Sequence, residues 1–436
     1  MRPGQNTEHP NWNHLPASAE AIAQPIGWRD SIAAAFSGRQ ALSLLAYGSG
    51  RTYGDVCLNP GNLILPTRGL NRVLAYDRER GVVTAEAGMT FRELLALIVK
   101  DGWFPPVTPG TSHLTLGGAI ANDVHGKDHP AAGTFGRYLT EVELHRSDRP
   151  GAIRCSPDRD FDLFAATIGG LGLTGFIGAA TFSLQRIPGP RIETRTRRGD
   201  CLAMFAEPPD PAFPHRVAWL DASAPVSEIG RGHFSVGRFV AGKGPTEFRA
   251  GPPAPRLPSR VLGPGVFKAL NRLRYALPVR GEEVVGFQPF FYQLDRLDDW
   301  GRAYGRDGFY QHQALIPAAV GPEPIRALIR TMQVHGQASF VTVLKQYGEL
   351  SSPGLMSFPQ PGLSLAVDLA NLGERTLRLL DALDEIVLAA GGRIYPAKDA
   401  RMSPATFRAG YARLAEFARL IDPAFSSGFW RRMNPA

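Results

Sequence analysis

Between Ala41 and Ile187 short apolar runs alternate with glycine-bearing polar gaps. The runs ALSLLAYG, NLILPT, NRVLAYD, VVTAEAG, EVELHRS and FIGAATFSLQRI have the length and β-branched content of strands. Two helical patterns interrupt them. In TFRELLALIVK, Leu94, Leu95, Leu97 and Ile98 gather on one side behind a Thr90 cap, and a shorter amphipathic turn falls at 159–167. A change of composition near RIPGPR closes this region, and the Pro-rich GPPAPRLPSRVLGPG that follows cannot sustain a hydrogen-bonded element, so a long loop is expected. Beyond it, GFYQHQALIP, ASFVTVLKQYG and LSLAVDLAN read as strands among helices at 323–335 and 374–390, the second stopped by Gly391 and Gly392. This pattern predicts a sheet with helices on one face. GRIYP then reads as a strand, and Ser403 with Pro404 as the cap and first position of a last helix. The expectation is an α+β protein of two domains, 1–190 and 191–393, the second built on an antiparallel sheet, with 394–436 returning to the first.

The length of 436 residues and 44% hydrophobic content are ample for two cores. A net charge of +8 comes from 48 basic and 40 acidic residues that are scattered without a run of five like charges, which disfavours a nucleic-acid groove and leaves anionic small molecules or membrane surfaces as partners. Cys57, Cys155 and Cys201 are an odd number without C-x-x-C spacing, so neither a disulfide scaffold nor a thiolate metal site is expected, and a reducing compartment fits. The start, MRPGQNTEHPNW, lacks a secretory apolar core and reads as a loose leader. Leu163 to Gln185 is uncharged but carries five glycines, so it reads as turn plus buried strand rather than a membrane span. A cytoplasmic or peripheral membrane location is expected, with the periplasmic face open through association.

The stretch YGSGRTYGD places three glycines where backbone N–H groups could face an anion. It lacks the Gly-Lys-Ser/Thr of a mononucleotide loop, and its third glycine is one place late for a Rossmann turn. Two further segments follow, PGTSHLTLGGAIANDVHGKDHPAAGTFG and ATIGGLGLTGFIG. Three separated glycine clusters beside apolar runs point to one large flat ligand with phosphates, and a dinucleotide is the economical reading. A non-redox nucleotide or nucleic-acid binder is the distant alternative.

In order and spacing, GSGRTYGD, PGT, TLGGAIANDVHGK and GGLGLTG resemble the FAD-binding domain of vanillyl-alcohol-oxidase (PCMH-type) flavoproteins. Within that superfamily HGKDHPAAGTFG, FFYQLD, LKQYG, SFPQPG and YPAKDAR are similar to the polyprenylphosphoryl-ribose 2-oxidase family, flavoenzyme halves of an epimerase that makes arabinose donors for cell walls. The resemblance implies that Gly48, Ser49, Gly50, Arg51, Thr52, Tyr53, Gly54 and Asp55 wrap the FAD pyrophosphate. It implies that Gly110, Thr115, Leu116, Gly117 and Gly118 continue the cradle, that Asn122, Asp123, Val124 and His125 lie along the flavin, and that Ile177 and Tyr395 complete the pocket. Covalent members often use a His in the first loop, where this chain has Arg51, Thr52 and Tyr53, so dissociable FAD is expected. The implied chemistry is hydride transfer from the ribose 2-carbon to flavin N5, with Lys398 or His125 as base. Lys127, Lys345, His312 and Tyr53 would hold the lipid-linked sugar phosphate, and a short-chain dehydrogenase/reductase would complete the epimerisation.

The family pattern has a Cys where this chain has Ala366 and an Asn where it has Ser364. Family inhibitors that bond to that thiol are therefore not expected to bond here. An aldonolactone or sugar-alcohol oxidase is the near alternative, needing neither phosphate-binding cations nor apolar membrane-facing loops. The basic, amphipathic VFKALNRLRYALPVR is a candidate lipid-facing element, with an ordinary surface loop as the competing reading.

Overall fold

Residues 6–7, 9–16, 20–39, 41–249, 251–258 and 261–434 are described by a computed structural model. The first five residues of the leader, Glu8, and Ser259–Arg260 of the Pro-rich segment lie outside the described residues. The first apolar runs, Leu44–Tyr47 and Leu63–Pro66, pair in parallel, with Ala21–Ala23 parallel to the latter. The opening glycine loop therefore leaves the carboxyl end of a parallel strand. A second sheet is antiparallel, in the order Val73–Asp77, Val82–Glu86, Phe176–Ser183, Leu139–His145 and Ala152–Cys155. The helix Phe91–Ile98 packs with this sheet, burying Phe91, Leu94, Leu95 and Ile98. It starts where it does because the Thr90 side chain accepts from the Glu93 N–H while the Glu93 carboxylate accepts from the Thr90 N–H.

The second half builds one eight-stranded sheet, ordered Glu282–Gly286, Arg191–Asp200, Arg231–Val240, His215–Leu220, Thr342–Tyr347, Gly362–Ala370, Phe309–Pro317 and Arg393–Ile394. Four of these strands come from 191–286, where the sequence reads as charged and irregular. RIETRTRRGD conceals a strand because only Ile192 and Thr194 are buried while its other residues are half-buried or exposed. On one face lie the helices Glu323–Val334 and Glu374–Ala389, whose Leu328, Ile329, Met332, Leu379 and Leu383 share a core with Ala314, Ile316, Leu344 and Val367 of the strands. The Glu374–Ala389 helix stops at Gly391, which takes φ +66°, a left-handed value that favours glycine.

After Ile394 the chain crosses back. Pro404–Gly410 begins with Ser403 accepting from the Thr406 N–H, and Phe407, Phe417 and Phe429 enter the same core as the helices. Phe425 bridges in parallel to Leu44, and the Asp422 carboxylate accepts from the Ser147 N–H at 2.6 Å. The last forty residues thus touch both the first parallel strands and the large sheet.

Candidate active site

A cleft of about 670 Å³, open solvent at its mouth included, runs along the first two glycine segments and the third. Gly48, Ser49, Gly50, Arg51 and Thr52 line it from the first loop, Thr115, Gly117, Gly118 and Asn122 from the second, and Leu171, Gly172, Gly175 and Ile177 from the third. Leu114, Cys57 and Ala121 line it as well, none of them singled out by motif. The short helix Leu116–Ala121 is capped by Thr115, whose hydroxyl accepts from the Gly118 N–H. Backbone approaches closely here: a Cβ on Gly48 would sit 2.5 Å from the Thr115 hydroxyl oxygen, and Gly50 holds φ +60°. Replacing Gly48 by Ala is expected to weaken cofactor affinity about tenfold, roughly 1.4 kcal/mol, measured by the fluorescence of flavin released on dilution; unchanged retention would show that this approach is not part of the cradle.

The opening motif divides at Thr52. Its first half faces the cleft, whereas its second half grips the C-terminal segment: the Tyr53 N–H donates to the Ala397 carbonyl at 2.9 Å, and a Cβ on Gly54 would overlap the Asp399 carbonyl oxygen. Asp55 accepts two bonds from Arg432, at 2.9 and 2.8 Å, and the same guanidinium donates to Asp399 at 2.9 Å. Tyr53, Gly54 and Asp55 are therefore clamps rather than cradle, a correction to the expected wrapping. Gly110 lies outside the lining with open space beside it, and Leu116 is buried in the core of the first region. Asp123 is wholly buried, accepting from the Gly136 N–H and the hydroxyls of Ser352 and Ser357, and so braces the turn below the cleft beside Val124.

Next to the cleft, Tyr395 bonds the carbonyl of the cleft residue Asn122 and His125 meets Gln313 of the eight-stranded sheet, and strand register decides which sheet side chains share that face. Gln313 pairs with Ala366, which pairs with Val343; Gln311 pairs with Asp368; Lys345 pairs with Ser364. Residues directly opposite share a face, so these side chains form one polar surface. His312, one residue out of phase, turns to the helices, where its Nε2 lies 3.0 Å from Asp384. It is buried among core residues behind the sheet, a correction to its expected role in substrate binding. Parity alone carried this signal, since His312 alternates in step with Ala314 and Ile316.

His125 sits on the polar surface inside an aromatic box, its ring 5.0 Å from Tyr347, 5.1 Å from Tyr395 and 5.6 Å from Phe358. The Tyr395 hydroxyl donates to the Asn122 carbonyl at 2.8 Å, tying the box to the cleft. His125 Nε2, the Tyr347 hydroxyl and the Ser364 hydroxyl all gather within 3.3 Å of the Gln313 amide nitrogen. That nitrogen has two hydrogens, so two of the three contacts are donated bonds at any time. Burial, and then the cations Lys345 and Lys398 with His129 between them in weight, hold His125 well below the ordinary histidine range, so it is neutral.

Lys398 is half-buried, its ammonium 3.7 Å above the Tyr53 ring. Burial pulls it below the ordinary lysine range, against the pull of Asp368, while burial raises Asp368, against its bond from Gln311 and the charge of Lys398. Both partners are thereby moved toward neutrality. The Gln311 amide donates to Asp368 at 2.5 Å and fixes the carboxylate on the site face. Gln311, Gln313 and Asp368 were not singled out by sequence; alternation within FYQHQALIP and LSLAVDLA was the signal available. Lys127 donates to the Phe290 carbonyl and lies 4.4 Å from that ring's centroid, and burial lowers it to about 7. Burial lowers Lys345 as well, with Asp128 opposing, and raises Asp128 to about 7.

Whether the cleft suits FAD is tested by what it leaves open. Among the described residues, three buried polar atoms of its lining have no partner, Arg51 Nε, Thr52 Oγ1 and Asn122 Oδ1, and backbone is free of side chain at Gly48, Gly117 and Gly118. Arg51 is held with its guanidinium 4.2 Å over Trp12. Donors, a cation and bare backbone fit a pyrophosphate, and the apolar Leu171, Ile177 and Ala121 fit a flat ring system.

These features define an FAD-dependent oxidoreductase. In agreement, residues 30–148 match the model of a family described as FAD binding domain. The chain belongs to the family of decaprenylphosphoryl-β-D-ribose oxidase: it is 32% identical to that protein of Mycolicibacterium smegmatis over 90% of this chain and 89% of the relative. It is also 33% identical to an uncharacterized protein in the mprA 5′ region of Streptomyces coelicolor, over 79% of this chain and all of that one. L-gulonolactone oxidase of Mus musculus is 29% identical over 35% of this chain and 34% of its own length.

Proposed function

We propose that this protein oxidises the 2-hydroxyl of a ribose carried on a polyprenyl phosphate, giving the 2-keto sugar that a short-chain reductase partner would reduce to the arabinose epimer. The observation that carries this reading is the match to decaprenylphosphoryl-β-D-ribose oxidase over nine-tenths of both chains. The lactone-oxidase match spans about a third of each partner and favours no second reading.

FAD, bound in the cleft, supplies the hydride acceptor. The chain's own tasks are to seat the sugar, move one proton and hold the phosphate. Lys398, drawn toward its neutral form by burial, accepts the hydroxyl proton, and the Tyr53 face together with Asp368 stabilises the ammonium that results. His125 is the weaker candidate because its Nε2 already faces Gln313 and its basicity is depressed. Gln311, Gln313 and Ser364 present amide and hydroxyl groups to the sugar, which suits recognition by hydrogen bonds. Lys345, on the same surface, and Lys127, its neighbour in charge, are lowered by burial and would be held in their cationic form by the phosphate they meet. Tyr347, Phe358 and Tyr395 exclude water on the side of His125.

The test is anaerobic mixing of the FAD-loaded protein with a short-chain polyprenylphosphoryl ribose, free ribose 5-phosphate and L-gulonolactone. Bleaching of the flavin by the first alone is the expected outcome; equal bleaching by the lactone would remove the lipid-linked reading. At Ala366, between Gln313 and Val343 on the site face, no thiol is available. Intact mass and peptide mapping are expected to find no adduct there with thiol-directed inhibitors of the family, and a stoichiometric adduct at position 366 in Ala366→Cys.

A further inference from the structure

We infer that the helix Pro264–Ala276, with the residue that follows it, is a docking surface for an anionic lipid bilayer. Val266, Leu270, Leu273 and Leu277 are spaced four, three and four apart, which places them in one stripe. All four are exposed, at 41, 36, 59 and 53%. The helix is anchored by a different side: Phe267 and Asn271 are buried, the Phe267 ring 5.9 Å from Tyr304 and the Asn271 amide donating to the Ser339 carbonyl at 3.0 Å. An apolar stripe turned outward on a firmly seated helix marks a surface that meets something other than this chain.

Charge indicates what that is. From Phe248 to Gly281 the sequence carries Arg249, Arg256, Arg260, Lys268, Arg272, Arg274 and Arg280 without one Asp or Glu, although Glu247 and Glu282–Glu283 bound the stretch and Arg280 lies 3.8 Å from Glu283. Lys268 and Arg272 are exposed on the helix itself, flanking the stripe. Leucines beside cations, with no acidic residue among them, complement acyl chains beneath anionic headgroups. A second copy of a chain with net charge +8 would instead bring like charges together.

Position links this surface to the site. Arg274, on the inward side of the helix, lies 4.2 Å over Trp219, and Trp219 pairs with Val343 in the cross-strand row that continues through Ala366 to Gln313. The helix therefore covers the same sheet face against which His125 and Lys398 pack, and a bilayer under its leucines would lie beside the face proposed to receive a lipid-borne sugar. The purpose of docking rests on the proposed lipid-linked substrate, but binding itself does not.

The experiment is co-sedimentation of the FAD-loaded full chain with vesicles of phosphatidylcholine containing about 30% phosphatidylglycerol, and with pure phosphatidylcholine. At least about tenfold stronger binding to the anionic vesicles is expected, reversed by raising NaCl from about 50 to 500 mM. Leu273→Glu/Leu277→Glu and Lys268→Glu/Arg272→Glu should each lose about tenfold or more in binding while keeping the flavin spectrum, the melting temperature and the rate on a water-soluble short-chain substrate. Equal binding to neutral vesicles, no vesicle binding, or full binding by either variant would overturn the inference. So would a dimer, seen by light scattering, that the leucine variant abolishes. Vesicle binding is read without substrate, so failure of the oxidase reading shows separately, in the turnover arm.

Discussion

Lys398→Met is expected to remain yellow and to bind FAD as the parent does, yet to reduce its flavin about 10³-fold more slowly with the ribosyl lipid, the magnitude usual for loss of a positioned base. Cofactor binding is expected to survive because Lys398 is not among the residues lining the cleft and meets the first loop only through the Tyr53 ring. The pH dependence separates a base from a mere anchor. Burial lowers the Lys398 ammonium below the ordinary lysine range, so the neutral amine accumulates, and reduction accelerates, as pH rises through that depressed value. In Lys398→Met this rise should vanish. A variant that keeps the rise, or loses less than about tenfold in rate, would return the base to His125.

Arg432→Ala is expected to cost about 3–5 kcal/mol, because it strands two buried carboxylates at once. The guanidinium reaches Asp55 and Asp399 and also donates to the Met402 carbonyl at 2.6 Å, joining the first glycine loop to the lysine-bearing segment. Thermal unfolding should fall by at least about 5 °C, with faster loss of flavin. Burial raises the Asp55 carboxyl even with Arg432 present. Without the arginine it rises further, so protonation relieves the penalty: the deficit should be largest above neutral pH and shrink on acidification. Arg432→Lys should recover only part of the loss, since one ammonium cannot reproduce the fork that spans both acids. A melting temperature within about 1 °C of the parent would refute the clamp.

Much of the site was legible because its signals are local. Glycines at 48, 50, 117 and 118 mark places where backbone must come close to a neighbour or ligand, and that requirement leaves a trace in composition at each position. Thr90 with Glu93, and Ser403 with Thr406, complete helix caps within one turn, so those boundaries could be read three residues at a time. The strands of 191–286 were not legible in the same way. Their solvent-facing residues are charged and their buried ones few, so alternation is masked until neighbours on both sides are known. His312 shows the reverse failure: a chemically suggestive residue was chosen by type, while the face on which it stands follows from phase within the strand.

What the residue order settles unaided is the kind of ligand that the first half must accommodate and the ends of several helices, because these depend on backbone freedom and contacts only a few positions apart. Folding in three dimensions assembles the surface proposed to work on the sugar: Gln311, Gln313, Asp368 and Lys398 converge only through cross-strand register and the return of the chain's end, and Arg432 finds Asp55 across 377 positions. Such partnerships carry no local pattern, since a buried charge is stabilised by whichever opposite charge the packing delivers, wherever that group lies along the chain.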